Sequence, residues 1–226
     1  MRLGVLFSGG KDSTLALAKA KEKNEVVCLI TLISENKESY MFHTVNVGLT
    51  TLQAEALDLP IIQRVTEGRK EEELEDLKKA MQEAKTTFNI KGIVTGAIQS
   101  EYQAGRIRKI CAELDLQCLN PLWKKDQKEL LEEIVEEGYK AIISGVFAYP
   151  LDRSWLGREI DGEMIDRLVK LQEKYGISPA GEGGEIETTT LDAPPFRKRI
   201  EILESEIKTK GDSGVLVIKK ARLIGK

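Results

Sequence analysis

An apolar run that stops at two glycines and resumes at once as a helix constrains this chain more than any other stretch. It is Leu3 to Ser13, LGVLFSGGKDS, followed directly by TLALAKAKEK. The order is strand, tight loop, helix. Such a turn leaves backbone N–H groups unpaired at a helix N-terminus, where the helix dipole adds partial positive charge, so an anion can sit there. Phosphate is the usual occupant. Gly9 and Gly10 let the backbone come close, Ser8 and Ser13 offer hydroxyls, and Lys11 adds a positive charge beside the same anion. The loop is not a Walker A motif, because Asp12 follows Gly10-Lys11 and Val5 stands where its first glycine belongs; nor is it G-x-G-x-x-G.

Apolar and amphipathic stretches alternate behind this turn. Val26 to Leu32 reads as a doubly covered strand, Gly48 to Asp58 as a helix, and Ile61 to Val65 as a short strand after Pro60. Glu67 to Lys85 is dense in charge, yet Leu74, Leu77, Ala80, Met81 and Ala84 recur at helical spacing, which predicts a solvated amphipathic helix. Gly92 to Ala97 is the fourth strand, followed by a polar segment that turns helical. Gln117 to Leu122 is a short extended piece. Asp126, with Glu129 three residues on, opens a helix over Gln127 to Glu137, and Ala141 to Ala148 reads as the fifth strand of the sheet. This alternation predicts an α/β fold: a five-stranded parallel sheet sandwiched by helices, its ligand outside the carboxyl ends of the strands where their order reverses. From Tyr149 the rhythm changes. A helix over Asp161 to Tyr175 closes at Gly176, a Gly-, Pro-, Thr- and Glu-rich stretch follows, and Arg199 to Lys208 with Val215 to Leu223 reads as a hairpin. The expected division is a parallel-sheet domain over 1–148, which carries the anion-binding turn, and a smaller α+β unit over 149–226.

Composition excludes more than it selects. With 226 residues, 41% hydrophobic and 31% charged, the chain can bury a real core, and a net charge of −3 gives no global pull toward nucleic acid or anionic membrane. No apolar run reaches the length of a membrane span and no signal peptide is expected. Cys28, Cys111 and Cys118 form no C-x-x-C pair and no metal-ligand spacing, so a reduced, cytoplasmic protein is expected.

Ser8 to Ser13, SGGKDS, at the end of a first strand resembles the PP-loop of ATP pyrophosphatases, which hold the β and γ phosphates of ATP and release AMP and pyrophosphate. Three further stretches narrow the likeness: Gly96 to Arg106 (GAIQSEYQAGR), Ser144 to Tyr149 (SGVFAY) and Gly181 to Thr188 (GEGGEIET). With SGGKDS they resemble the diphthine–ammonia ligase family over most of the chain. One departure is Ile186, where an aromatic residue is expected. The resemblance implies the PP-loop, adenine nucleotide alpha hydrolase-like fold, and a ligase using ATP, Mg²⁺ and ammonium to convert the carboxylate of diphthine on elongation factor 2 to the amide, by way of an acyl adenylate.

That chemistry assigns expected roles. Ser8, Gly9, Gly10, Lys11 and Ser13 hold the leaving pyrophosphate, Asp12 contributes to the Mg²⁺ shell, and Arg106, with Gln103 and Ser100, meets the α-phosphate. Leu32, Ile33, Gly96 and Ala97 grip adenine and ribose. The trimethylammonium of the substrate favours aromatic faces and carboxylates, which draws in Tyr102, Tyr149, Trp155 and the Glu182–Gly183–Gly184–Glu185 stretch with Glu187. Glu185 or Glu187 can hold ammonium or take its proton. His43 is expected as a wall of the nucleotide pocket or an ordinary hydrogen-bonded side chain, and Trp123 as packing. The basic residues Arg197, Lys198, Arg199, Lys208, Lys210, Lys219, Lys220 and Arg222 make the C-terminal unit locally positive; they read as solvated faces that can also meet elongation factor 2, with no direct nucleic-acid binding expected. A homodimer is compatible with the sequence. Two rival readings keep the nucleotide: a tRNA-modifying PP-loop enzyme, and an ATP-sensing module without turnover.

Overall fold

The structure is a computed structural model that describes residues 1–35, 45–68 and 72–226. Its first half is a parallel sheet of β1 (Arg2–Leu6), β2 (Glu25–Ser34), β3 (Ile61–Thr66), β4 (Gly92–Val94) and β5 (Gln117–Leu119), in the order β3-β2-β1-β4-β5. Every neighbouring pair is parallel. Helices α1 (Lys11–Lys21), α2 (Thr50–Leu57), α3 (Glu72–Phe88), α4 (Glu101–Glu113) and α5 (Gln127–Glu136) follow β1, β2, β3, β4 and β5 in turn. From β1 the chain winds outward through β2 and β3, then returns to lay β4 on the other side of β1. The order therefore reverses between β1 and β4, which is where such a sheet opens a crevice.

The second half is an antiparallel sheet in the order β7-β6-β9-β8, built from β6 (Lys140–Val146), β7 (Ile186–Asp192), β8 (Lys198–Lys210) and β9 (Ser213–Gly225), with α6 (Gly162–Tyr175) between β6 and β7. Here one expectation is corrected. The run Ala141 to Ala148 is not the fifth parallel strand; β6 pairs antiparallel with β7 and β9, and the short Gln117–Leu119 piece closes the parallel sheet instead. Six of the seven residues of β6 are buried, so the strand is apolar on both faces, the signature ordinarily left by a parallel strand between two helical layers. The expected division at Tyr149 falls just after this strand. β7 is not expected from the sequence, because ETTT reads as polar loop; Thr189 and Thr190 are buried and Thr188 is half-buried. The hairpin of β8 and β9 and the helix α6, capped by Asp161 and closed by Gly176 in the left-handed region, lie where the sequence puts them.

α1 lies between the two sheets. It touches β1, β2 and β4 on one side and β7 on the other, and its buried residues therefore run around the helix rather than along one stripe. Leu15 and Leu17 join one core with Leu130, Ile143, Ile165 and Ile186, while Cys28, Ile30, Leu77, Met81, Ile93 and Ile107 form another under α3 and α4. At its far end α1 is tied to α5: Lys19 Nζ lies 2.6 Å from Glu133 and 2.7 Å from Glu137, and Lys125 also pairs with Glu133. Burial pushes the Glu133 carboxyl up, but hydrogen bonds from Lys125 and Lys19 outweigh it and hold the group below the ordinary glutamate range. A depressed carboxyl contributes stability above its unfolded value of about 4.3 and loses it as pH falls through the folded value. Glu133→Gln is accordingly expected to lower the melting temperature at neutral pH, with the gap to wild type closing below about pH 4 in a thermal-denaturation series.

The basic C-terminal residues are largely matched by carboxylates. Arg197 pairs with Asp58 at 2.9 Å, Lys198 with Glu55 at 3.3 Å, Arg222 with Glu201 at 2.6 Å, and Lys208 and Lys219 both with Glu206. Among the described residues no helix is long and apolar enough to cross a membrane.

Candidate functional site

The crevice at the β1–β4 reversal is lined by Ser8, Asp12 and Ser13 from the first turn, Leu32 from β2, Gly96, Ala97 and Gln103 beyond β4, and Glu182 from the second half. It is an open crevice whose mouth faces solvent at the carboxyl ends of the strands. Its floor is apolar, from Leu6, Phe7, Ile30, Val47, Leu77 and Ile107. One wall is the N-terminus of α1. Gly10 is its extended N-cap, without a side-chain cap bond, and Thr14 N–H makes the first turn's bond to Gly10 O at 3.2 Å. Helix geometry leaves the N–H groups of Asp12 and Ser13 without intrahelical partners at the crevice. Ser8 Oγ and Ser13 Oγ are 3.2 Å apart, a pair of hydroxyls at the same mouth.

Three glycines are dictated by close approach. Gly9 has φ +82°, and a Cβ there would stand 2.3 Å from Gln53 Oε1. At Gly10 a Cβ would meet Thr188 O at 3.2 Å. At Gly96 it would meet Ser13 N at 2.8 Å and the Asp12 carbonyl carbon at 2.9 Å, so the end of β4 packs directly against the backbone of the α1 first turn.

The second wall is the N-terminus of α4, where Ser100 is the N-cap and accepts from Gln103 N–H at 3.3 Å. Glu182 reaches across from the second half: its Oε2 accepts from Gln99 N–H at 2.8 Å and from Ser100 N–H at 3.2 Å. A carboxylate on these N–H groups is favoured by the dipole of α4. The loop that carries it is held by Gln127, whose Oε1 accepts from Ser178 Oγ at 2.6 Å and Ala180 N–H at 3.0 Å, while Ser178 Oγ accepts from Glu182 N–H at 2.9 Å.

Other expected site residues lie elsewhere. Lys11 is 2% exposed and does not line the crevice; its Nζ donates to Asp12 Oδ2 at 2.8 Å and to Ala180 O at 2.6 Å. Asp12 Oδ1, by contrast, is buried with no hydrogen-bond partner, an acceptor on a crevice residue that suits a divalent cation. Arg106 stacks on the Tyr102 ring at 3.8 Å, in a separate groove between α3 and α4 with Lys78 and Lys109. Glu185 Oε1 accepts from Ser178 N–H at 3.0 Å, its Oε2 is buried without a partner, and a Cβ on Gly183 would strike that carboxylate. Gly184, at φ +82°, turns the same loop. Glu187 Oε2 accepts from Val45 N–H at 3.3 Å, two residues from the crevice residue Val47. Tyr149 is 71% exposed and meets Tyr175 edge-on at 5.4 Å, whereas Trp155 is buried under Arg167 at 4.3 Å. Ile33 is half-buried and not among the lining residues, and Ile186 is core. His43 lies outside the described residues. Burial pushes the Cys28 thiol up to about 12 against the pull of Arg2, which leaves it unreactive; a hydrogen bond between the thiols raises Cys111 and lowers Cys118.

Sequence reasoning missed Gln53, Gln127, Thr188 and Thr190. The one signal for the threonines was their β propensity, three in a row, since Glu187 to Thr190 show no alternation.

Residues 1–118 match the family model described as diphthamide synthase N-terminal domain, and residues 126–224 match the diphthamide synthase C-terminal domain. The diphthine–ammonia ligase of Mus musculus is 39% identical over 226 residues, spanning 91% of this chain and 84% of that one; the Homo sapiens enzyme of the same name is 37% identical over 227 residues, spanning 92% and 85%. Among solved structures, a predicted subunit of tRNA methyltransferase from Methanocaldococcus jannaschii aligns with TM-score 0.45 at 20% identity, over 86% of this chain and 98% of that one.

Proposed function

The chain belongs to the diphthamide synthase family and is a ligase that forms a carbon–nitrogen bond, and from that premise we propose that it amidates the diphthine carboxylate of elongation factor 2 with ammonia, using ATP. The observation that carries the reading is the seating of Glu182 on Gln99 and Ser100, with Lys11 on Ala180: the loop of the second sheet forms part of the rim of the crevice that α1 opens onto. Substrate and nucleotide sides meet there.

A carboxylate does not react with ammonia until an oxygen is made into a leaving group. In the proposed sequence a carboxylate oxygen of diphthine attacks the α-phosphorus, the bond to the bridging oxygen breaks, and pyrophosphate departs with that electron pair. Ammonia then attacks the acyl carbon, the bond to AMP breaks, and the nitrogen gives up a proton. The α1 N-terminus with Ser8 and Ser13 receives the β and γ phosphates, and Asp12 Oδ1 would help to hold a Mg²⁺ ion, which would neutralise charge on the leaving pyrophosphate. Adenine and ribose lie against Leu32, Gly96 and Ala97. We assign the α-phosphate to Gln103 and Ser100 rather than Arg106, because Gln103 lines the crevice and Arg106 is stacked on Tyr102. Of the two candidate bases we favour Glu187, whose carboxylate meets Val45 N–H two residues from the crevice residue Val47, whereas Glu185 is turned inward onto Ser178 N–H. Cytoplasmic elongation factor 2 sets the compartment.

The test is reconstitution with ATP, Mg²⁺, ammonium and diphthine-bearing elongation factor 2. AMP and a one-unit decrease in the mass of the modified residue are expected. Glu187→Gln in the same assay should still release pyrophosphate yet lose amide. AMP without any mass change in the wild type would refute the acceptor, and unchanged amide yield from the variant would remove Glu187 from the chemistry.

A further inference from the structure

The back of the first turn is gripped by groups of β7 and α2, which are neither its strand nor its helix. Lys11 N–H donates to Thr188 Oγ1 at 3.1 Å. Gly9 O accepts from Thr190 N–H at 2.9 Å and from Gln53 Nε2 at 2.9 Å, and the same Gln53 amide donates to Thr190 O at 2.8 Å. Thr14 Oγ1 lies 2.9 Å from Gly10 O and 3.4 Å from Thr190 Oγ1. Gln53, Thr14 and Thr190 are fully buried. In a strand, alternate residues share a face, so Thr188 and Thr190 meet the turn together while Thr189 faces away and accepts from Asn46 Nδ2.

We propose that Thr188 and Thr190 of β7, with Gln53 of α2, are positioning residues for ATP: they set the conformation of Gly9 to Lys11, so the phosphate-binding turn takes its shape from the second sheet. The inference rests on the reading of that turn as the site of the β and γ phosphates. Two features require more than ordinary packing. Gly10 faces Thr188 so closely that a Cβ would lie within 3.3 Å of both its carbonyl and its hydroxyl oxygens, so this glycine serves the approach of β7 on one side as well as that of phosphate on the other. And an N–H of the first helical turn, a group that an anion site can use, is given to a hydroxyl more than 170 residues away. With Lys11 N–H and Gly9 O both committed, the N–H groups of Asp12 and Ser13 are left aimed by the helix itself, and the turn does not have to be ordered by ATP at the moment of binding.

Thr188→Val keeps the shape of the side chain and removes the acceptor; Thr188→Ser keeps the acceptor. In the ATP-free protein, hydrogen exchange at the Lys11 amide should quicken in Thr188→Val and stay near wild type in Thr188→Ser. In the amidation reaction KM for ATP should rise about tenfold in the first and within about twofold in the second, with KM for the protein substrate unchanged. A role confined to folding would instead lower the melting temperature and the active fraction, leaving KM for ATP where it was, and that result overturns the proposal. Should Thr188→Val not fold, Thr188→Ala, which only removes atoms, carries the same expectations. Exchange also separates the two readings. If ATP protects the turn in the wild type but binds Thr188→Val with undiminished affinity, the clamp fails and the site stands; if ATP leaves exchange of the turn untouched in the wild type, the site itself fails.

Discussion

Gly96→Ala is expected to cost about 100-fold in kcat/KM for ATP and to lower the melting temperature. The reason is that the added carbon has nowhere to go: Ser13 N at 2.8 Å and the Asp12 carbonyl carbon at 2.9 Å are backbone atoms, and neither can rotate aside. Overpacking of this kind costs about 1–3 kcal/mol. The larger effect is on geometry, since relief of the clash drives the α1 N-terminus away from the end of β4, and a displacement of about 1 Å in a positioned group can cost about 10²-fold in rate. Gly105→Ala is the control. It lies inside α4 with open space around the new carbon, and removing a helical glycine there should stabilise the fold by about 0.5–1 kcal/mol. Thermal melts and ATP-dependent rates on the two variants check both expectations; wild-type kinetics in Gly96→Ala would show that the contact between β4 and α1 yields freely.

Lys11→Met is expected to be the most damaging single change at the site. The ammonium is buried, and its loss strands the Ala180 carbonyl and leaves both Asp12 oxygens without a donor, one of them being unpartnered already. Breaking a fully buried pair costs about 3–5 kcal/mol, and the partial exposure of Asp12 brings the figure to about 2–3. For a chain of this size that corresponds to a fall of roughly 5–10 °C in melting temperature. Turnover should fall further than stability, by about 10²–10³-fold, because Asp12 and the Ala180–Glu182 loop are released together at the rim of the crevice. Lys11→Arg should not restore either property, since a planar guanidinium does not present its donors to Asp12 Oδ2 and the Ala180 carbonyl as a compact ammonium does. Calorimetry and pyrophosphate release provide the two readouts, and a Lys11→Met protein with normal turnover would mean that the bridge is ornamental to catalysis.

The same lysine marks the line between what could be read early and what could not. That Lys11 follows two glycines at a helix start is a local fact, visible in six consecutive letters. That its ammonium turns back to Ala180, and does not line the crevice, depends on a loop 169 residues away. Arg106 has the same history: its helix and its neighbour Tyr102 were expected, but it is the tertiary packing that turns Gln103 toward the crevice and leaves the guanidinium in the other groove. Glu182 was expected on the substrate side, yet its seat on Gln99 and Ser100 needed the two halves side by side.

By itself the sequence determined the strand–glycine–helix turn, the parallel sheet around it, α6 with its caps, and the terminal hairpin. Each of these is written in the periodicity, glycine placement and capping of contiguous residues, which act through backbone dihedral angles and so need no distant partner. Only the tertiary structure decided that β6 leaves the parallel sheet for β7 and β9, that α1 is enclosed between two sheets, and that Gln53, Thr188 and Thr190 hold the turn. Strand pairing and side-chain hydrogen bonds across the fold are chosen by complementarity between segments. Many strands share the same apolar pattern, so the letters of one segment cannot say which other segment it will meet.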